Sequence, residues 1–300
     1  MLKVITVLLK KVNPVPFITY SAGLVLLMLI MTSCEKNITV DLPPSKSEVV
    51  VEGYVETGLP PYVYLSYSTD YFAPTDSASV VDYTIKGAMV IINDGFTSDT
   101  LVELSPTYGY FYISTKLTGV TGRTYTLTVI TKKGEVVTGK TTLTAPIPLD
   151  SLYFKPQPNN DTLGFTWAKL TDPDTLGNCY RWFAKRLHKD SLFIAPFGSA
   201  FEDKFINGTT LEFAYNRGEL PNTQTEPDDL EAGFYKTGDT VVVKFCTMDY
   251  NSYQFWRDAE TQSANNGNPF GSISPINPGV EGGLGIFCAY AASYDTVICQ

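Results

Sequence analysis

From Val49 onward the chain alternates apolar and polar residues with a period of two, in short runs separated by Gly, Asn, Asp and Pro. Val49 to Glu56 ("VVVEGYVE"), Tyr62 to Ser68 ("YVYLSYS"), Ala88 to Ile92, Tyr108 to Ser114 ("YGYFYIS"), Thr124 to Thr131 ("TYTLTVIT") and Glu135 to Leu143 read as β-strands. In Thr124 to Thr131 the alternation places Tyr125, Leu127 and Val129 on one face and threonines on the other. The strings "NDG" (93 to 95) and "KKG" (132 to 134) supply turns. About seven strands at this spacing over about 100 residues predict a β-sandwich. "TAPIPLD" (144 to 150), stiffened by Pro146 and Pro148, predicts the link that ends it.

The second half is mixed. Thr162 to Lys169 and Tyr180 to Leu187 read as strands on either side of "LTDPDTLGN" (170 to 178), and Val241 to Thr247 ("VVVKFCT") as another. Asp249 is placed to cap a helix from about Tyr250 to Gln262, with Tyr253, Trp256 and Ala259 on one side. "NNGNPFGSISPINPGVEGG" (265 to 283) follows, then a closing strand, "LGIFCAY" (284 to 290). Passages of that length without regular structure are usually functional or specially packed. The pattern therefore predicts a mainly β protein: a sandwich over 48–146, then a second β-rich domain over 147–300 with a short helix near 250–262.

The first 33 residues have a different pattern. Lys3, Lys10 and Lys11 make a basic start, and Phe17 to Met31 is an uncharged apolar run. It falls short of the roughly 20 residues a spanning helix needs, and suits a secretory signal. Met31-Thr32-Ser33-Cys34 resembles the lipobox of bacterial lipoproteins, although that pattern usually has Leu where Met31 stands. The expectation is a signal peptide over 1–33, lipidation at Cys34 and a tether over 34–47. A plain signal peptide with an incidental cysteine is the alternative. The basic tract before Phe17 is long for a signal, which keeps a downstream start codon open.

Charge narrows the partners. The chain carries 22 basic and 31 acidic residues; without the three leader lysines, 19 face 31, a net charge of −12. No basic patch remains to neutralise phosphates, so nucleic acid is excluded as an expected partner. The mature chain of about 265 residues has room for two ordinary domains. Cys179, Cys246, Cys288 and Cys299 would permit disulfides in an oxidising compartment, or serve as buried small hydrophobes. With one histidine in the chain and no CxxC spacing, no metal or other cofactor is expected.

Four segments carry a family resemblance. "VVEGYVETGLPPYVYLS" (50 to 66), "TDYF" (69 to 72), "GRTYTLTV" (122 to 129) and "GNPFGSISPINPGVEGGLGIF" (267 to 287) together resemble the Bacteroidota lipoproteins of domain-of-unknown-function family 4249, in order and across the mature chain. The resemblance implies an immunoglobulin-like N-terminal sandwich and a lipid-anchored protein of the outer membrane. It also implies genes beside those of TonB-dependent receptors, and so a receptor as partner. It carries over no catalytic residue.

Other constellations have competing readings. His188 in "KRLHKDS" is the only histidine, and no G-x-S-x-G accompanies it, so no catalytic triad is expected. "DPDTLGN" (172 to 178) brings Asp172, Asp174 and Asn178 near one another but lacks the EF-hand offsets, leaving a strand-connecting turn as the default over calcium. "EGGLG" (281 to 285) lacks the residues of a phosphate loop, and close backbone packing explains its glycines better. Asp-Ser/Thr-aliphatic triplets occur at Ser77, Thr100, Ser151, Thr162, Thr175, Ser191, Thr240 and Thr296, where chance would give about one or two. They resemble the O-glycosylation sequon of exported Bacteroidota proteins; turns that end in Asp and feed strands produce the same string.

Aromatic residues complete the inventory, with 19 Tyr and 17 Phe against 3 Trp. Tyr62, Tyr64, Tyr71 and Phe72 cluster early, and Tyr253 and Trp256 lie on the expected helix. They are candidate binding aromatics, for sugar rings, peptides or a receptor, set against the alternative that they fill two β cores. Three functions follow: a non-catalytic lipid-anchored accessory to an outer-membrane transporter, a surface hydrolase of glycans, peptides or esters, and a structural or adhesive envelope component. The first is the leading one.

Overall fold

The structure, a computed structural model, describes residues 46–69, 82–104, 110–219, 231–265 and 275–300. The signal peptide, Cys34, nearly all of the tether, Tyr71, Phe72 and Ser77 lie outside the described residues. Ser45–Gln300 forms one compact unit.

Among the described residues the protein is mainly β, built from three sheets and one long helix. The largest sheet has eight strands in the order β12 (Ala200–Glu202), β11 (Cys179–Arg186), β15 (Thr240–Met248), β17 (Leu284–Ile298), β1 (Val49–Glu56), β2 (Tyr62–Tyr67), β6 (Phe111–Ile113) and β5 (Val102–Leu104). A five-stranded sheet runs β16 (Val280–Glu281), β8 (Val136–Thr142), β7 (Thr124–Ile130), β3 (Met89–Asn93) and β4 (Ser98–Thr100). In the third sheet β10 (Asn160–Thr171) is flanked by β9 (Ser151–Gln157) on one side and by β13 (Thr210–Tyr215) and β14 (Tyr235–Lys236) on the other.

Alternation decides what each face buries. Val51, Val63, Leu65, Phe287 and Ala289 of the large sheet meet Ile92, Leu127, Val129 and Val137 of the five-stranded sheet in one core. Farther along the same face, Tyr180, Trp182, Val243 and Phe245 meet Ala168 and Leu170 of the third sheet. The result is sandwich-like packing of two smaller sheets on one large one.

β17 joins these regions. Its first half pairs in parallel with β1, from Val50↔Leu284 to Glu56↔Tyr290, and its second half pairs antiparallel with β15, from Thr247↔Ala291 to Thr240↔Ile298. The close approach of β1 explains the glycines of "EGGLG": Gly285 adopts φ 100°, and a Cβ there would stand 2.0 Å from the Val51 carbonyl oxygen. Phe287, 1% exposed, has glycine on both sides, since a Cβ at Gly53 would lie 2.8 Å from its ring and one at Gly139 2.9 Å from its Cβ.

The predicted helix is present as α1 (Tyr250–Asn265), three residues longer than expected. Asp249 caps it, Oδ1 accepting the Ser252 N–H at 2.9 Å. Its other oxygen accepts the Thr142 N–H at 2.9 Å and the Thr141 hydroxyl at 2.7 Å, so one carboxylate both starts the helix and ties it to β8. α1 lies on the face of the large sheet opposite the sandwich cores, where Tyr253 packs among Cys179, Cys246, Met248, Ile286 and Cys288.

Candidate functional site

The face of the large sheet that carries α1 also carries a row of aromatic rings. Residues two apart on a strand share a face, which brings Tyr54 of β1, Tyr62 and Tyr64 of β2, Phe111 of β6, Phe183 of β11 and Tyr290 of β17 together. Ring centroids step from Phe111 to Tyr64 (5.6 Å), Tyr62 (5.8 Å), Tyr54 (5.4 Å), Tyr290 (5.8 Å) and Phe183 (5.6 Å). These separations are those of favourable aromatic pairs, and the Tyr64–Tyr62 and Tyr290–Phe183 pairs meet edge to face. Tyr294 and Phe193 add a pair at 5.9 Å. Exposure is graded across the row: Tyr290 is buried, Tyr54, Tyr62 and Phe111 are half-buried, and Tyr64 is 40% and Tyr294 52% exposed.

Charged groups punctuate the rings. The buried Glu56 carboxylate accepts hydrogen bonds from Lys244 Nζ and the Tyr294 hydroxyl. Lys244 Nζ also lies 5.5 Å from the Tyr290 ring centroid and 5.6 Å from that of Phe183. Exposed Glu52 accepts the Tyr54 hydroxyl at 2.7 Å. Arg181, 5% exposed, donates to the Tyr290 hydroxyl at 2.6 Å and faces Glu260 of α1 at 3.6 Å.

The phenols are held protonated. Burial, then the charge of Glu52, raises Tyr54 well above its ordinary pKa, and the same two causes raise Tyr64. Burial raises Tyr62, with Tyr64 adding to it, and burial followed by the hydrogen bond to Glu56 raises Tyr294. The face presents neutral O–H groups on apolar rings at any physiological pH, a surface suited to amphipathic contact.

Tyr62 and Tyr64, singled out from the sequence, lie on this face. Tyr253 is 5% exposed and belongs to the packing under α1. Trp256 packs against the same cluster, with the Arg181 Cζ 3.5 Å from its ring centroid. Tyr54, Phe111, Phe183, Tyr290 and Tyr294 complete the row without having been singled out. The usable signal was parity: Tyr54 shares its strand face with Glu52 and Glu56, and Tyr290 and Tyr294 are four apart on one strand.

The other constellations resolve into local structure. Asp172 accepts the Tyr180 hydroxyl and the Gly208 N–H at 3.1 Å, while buried Asp203 accepts the N–H groups of Gly177 and Asn178, each at 2.8 Å. Among the described residues no group of three or more His, Cys, Asp or Glu is placed to hold a metal. His188 sits exposed in the turn after β11 at φ 62°. Cys179, Cys246, Cys288 and Cys299 are free and buried. Burial pushes the Cys179, Cys288 and Cys299 thiols up to about 12 and raises Cys246 as well.

Of the triplet hydroxyls, those of Thr100, Ser151, Thr162, Thr175, Ser191 and Thr296 belong to exposed residues and that of Thr240 to a half-buried one. Several of the preceding aspartates fasten turns or strand ends. Asp99 accepts the Ser114 hydroxyl at 2.7 Å, Asp150 the Thr171 hydroxyl at 2.7 Å, Asp190 the Arg186 N–H at 2.7 Å and Asp239 the Lys236 N–H at 3.0 Å.

A family model described as a domain of unknown function, DUF4249, matches residues 35–295. The chain belongs to this family. Within this DUF4249 chain, the resembling segments 50–66 and 122–129 form β1, β2 and most of β7, and the end of 267–287 opens β17. They are the strands that build the sandwich and its parallel closure. Comparison with curated proteins gave no match. No described helix is long and apolar enough to cross a membrane.

Proposed function

We propose that this DUF4249 protein is a lipid-anchored, non-catalytic lipoprotein of the outer membrane that works as a binding or accessory component beside a TonB-dependent receptor in nutrient uptake. The observation that carries the reading is the continuous Phe111–Tyr64–Tyr62–Tyr54–Tyr290–Phe183 row, whose exposed end is a rigid, amphipathic surface on a sheet. Tyrosine gives large contact area at little entropic cost, and aromatics are enriched where proteins meet. The address rests on Cys34 and the apolar run before it, and on the resemblance to lipoproteins encoded beside such receptors. Each acyl chain contributes about 0.8 kcal/mol per buried methylene, so two or three chains hold a protein on a bilayer.

The test is metabolic labelling with palmitate, followed by fractionation and cross-linked pull-down from native outer membranes. Label on the wild type, none on Cys34→Ser, and co-purification with a large β-barrel receptor support the reading. An unlabelled wild type, or a Cys34→Ser protein that fractionates unchanged, contradicts it.

A further inference from the structure

The N-terminal part of α1, β7, β8 and the segment from Asn277 to Glu281 line a half-open cavity of about 460 Å³, with no ring of the tyrosine row among its described lining residues. That volume lies within the range of about 300–1,000 Å³ typical of small-molecule sites. Its floor is the outer side of the five-stranded sheet, where Thr126, Thr128 and Thr138 point away from the core that takes Leu127 and Val137. Among the described residues its charged lining residues are Lys140 and Glu281, both exposed.

Their placement is set by register. Thr138 pairs with Glu281 across β8 and β16, and Lys140 stands two residues farther along the same face of β8. A diagonal pair of this kind has its Cβ atoms roughly 7 Å apart. No salt bridge joins Lys140 and Glu281 to each other or to another described residue. One free ammonium and one free carboxylate thus face a common polar space. The remaining polar groups are hydroxyls and the amides of Asn251, Gln254 and Asn277, each amide offering a donor and an acceptor side by side.

We infer that this cavity binds a small zwitterion containing a peptide group, an unprotected dipeptide or tripeptide. Lys140 receives the carboxylate, Glu281 the ammonium, and the side-chain amides pair with the peptide bond between them. Among the described residues the lining has no aromatic ring on which a sugar could stack, and the net charge of zero over those residues matches a ligand whose own charges cancel. The site is independent of the tyrosine face and of the lipid anchor.

Isothermal titration of the full-length protein in detergent with alanyl-alanine and glycyl-leucine tests this. Controls are the same dipeptides N-acetylated or C-amidated, maltose, and the variants Lys140→Met, Glu281→Gln and Tyr64→Ala. The expected result is saturable binding of the unprotected dipeptides, weakened at least tenfold by blocking either end or by either charge variant, and unchanged by Tyr64→Ala. Blocked dipeptides binding as well as free ones, maltose binding in their place, or no binding tighter than about 10 mM would each overturn the inference.

Discussion

Arg181 of β11 lies over the ring of Trp256 in α1, with its guanidinium carbon 3.5 Å from the ring centroid. The same guanidinium donates to Tyr290 at 2.6 Å and faces Glu260 at 3.6 Å, so a single buried cation ties the helix to two strands of the large sheet. A desolvated cation–π pair is worth about 2 kcal/mol, and removing one member of a buried ion pair costs more than the pair itself contributes. Trp256→Ala should lower the unfolding free energy by about 2 kcal/mol and Arg181→Met by about 3 kcal/mol, in urea titrations followed by tryptophan fluorescence or circular dichroism. The double variant should lose less than the sum, because the two residues share one interaction.

The parallel closure by β17 depends on the absence of a side chain at residue 285. Gly285→Ala combines a positive φ with a Cβ driven into the Val51 carbonyl, and should cost upwards of about 2 kcal/mol. Gly122, at φ 82° with open space around its Cβ position, is the control: Gly122→Ala bears the backbone strain without the collision and should cost clearly less. Thermal unfolding of the two variants measures the difference.

Acid should weaken the five-stranded sheet at the β3–β4 hairpin. Burial alone would raise the Asp94 carboxyl, but N–H bonds from Thr97 (2.7 Å) and Phe96 (2.9 Å), together with Arg123, outweigh it and lower its pKa. Asp99 is lowered in the same way, burial being outweighed by the Ser114 hydroxyl and the N–H groups of Lys116 and Thr115. A carboxyl whose folded pKa lies below its ordinary 3.8 contributes its full stability above that pH and loses it as pH falls through the folded value. Wild-type stability should therefore drop below about pH 4, and Asp94→Asn should flatten that part of the profile while lowering the neutral plateau.

The buried thiols should be silent in the folded protein. Cys179, Cys246, Cys288 and Cys299 are each 1% exposed or less, and burial keeps all four protonated. Maleimide treatment of native protein should leave them unmodified, and treatment in denaturant should modify all four without prior reduction, read by intact mass. A requirement for reductant would show disulfides in place of free thiols.

Strands whose alternation is locally complete were legible from sequence: β1 is found at the predicted residues, and β7 and β15 within a residue of the expected ends. The closing strand was expected to stop at Tyr290 and continues to Ile298. Ala291, Ala292 and Ser293 have little intrinsic preference for a strand, and pairing with β15 holds them extended. β9 was hidden by Pro156, which is tolerated because β9 lies at a sheet edge and pairs only with β10. The tyrosine face was half legible: Tyr62 and Tyr64 stand out by clustering, whereas Tyr54 and Tyr290 meet only through a parallel pairing between the first and last strands, which local pattern does not reveal.

The most direct measurement places a photo-cross-linking phenylalanine analogue at Tyr64 and, as a control, at Phe96, which is 81% exposed on the β3–β4 turn. After irradiation of native outer membranes, mass spectrometry should find a TonB-dependent receptor joined through position 64 and not through position 96. Equal capture at both positions, or no receptor at position 64, would contradict a receptor-facing role for the tyrosine row.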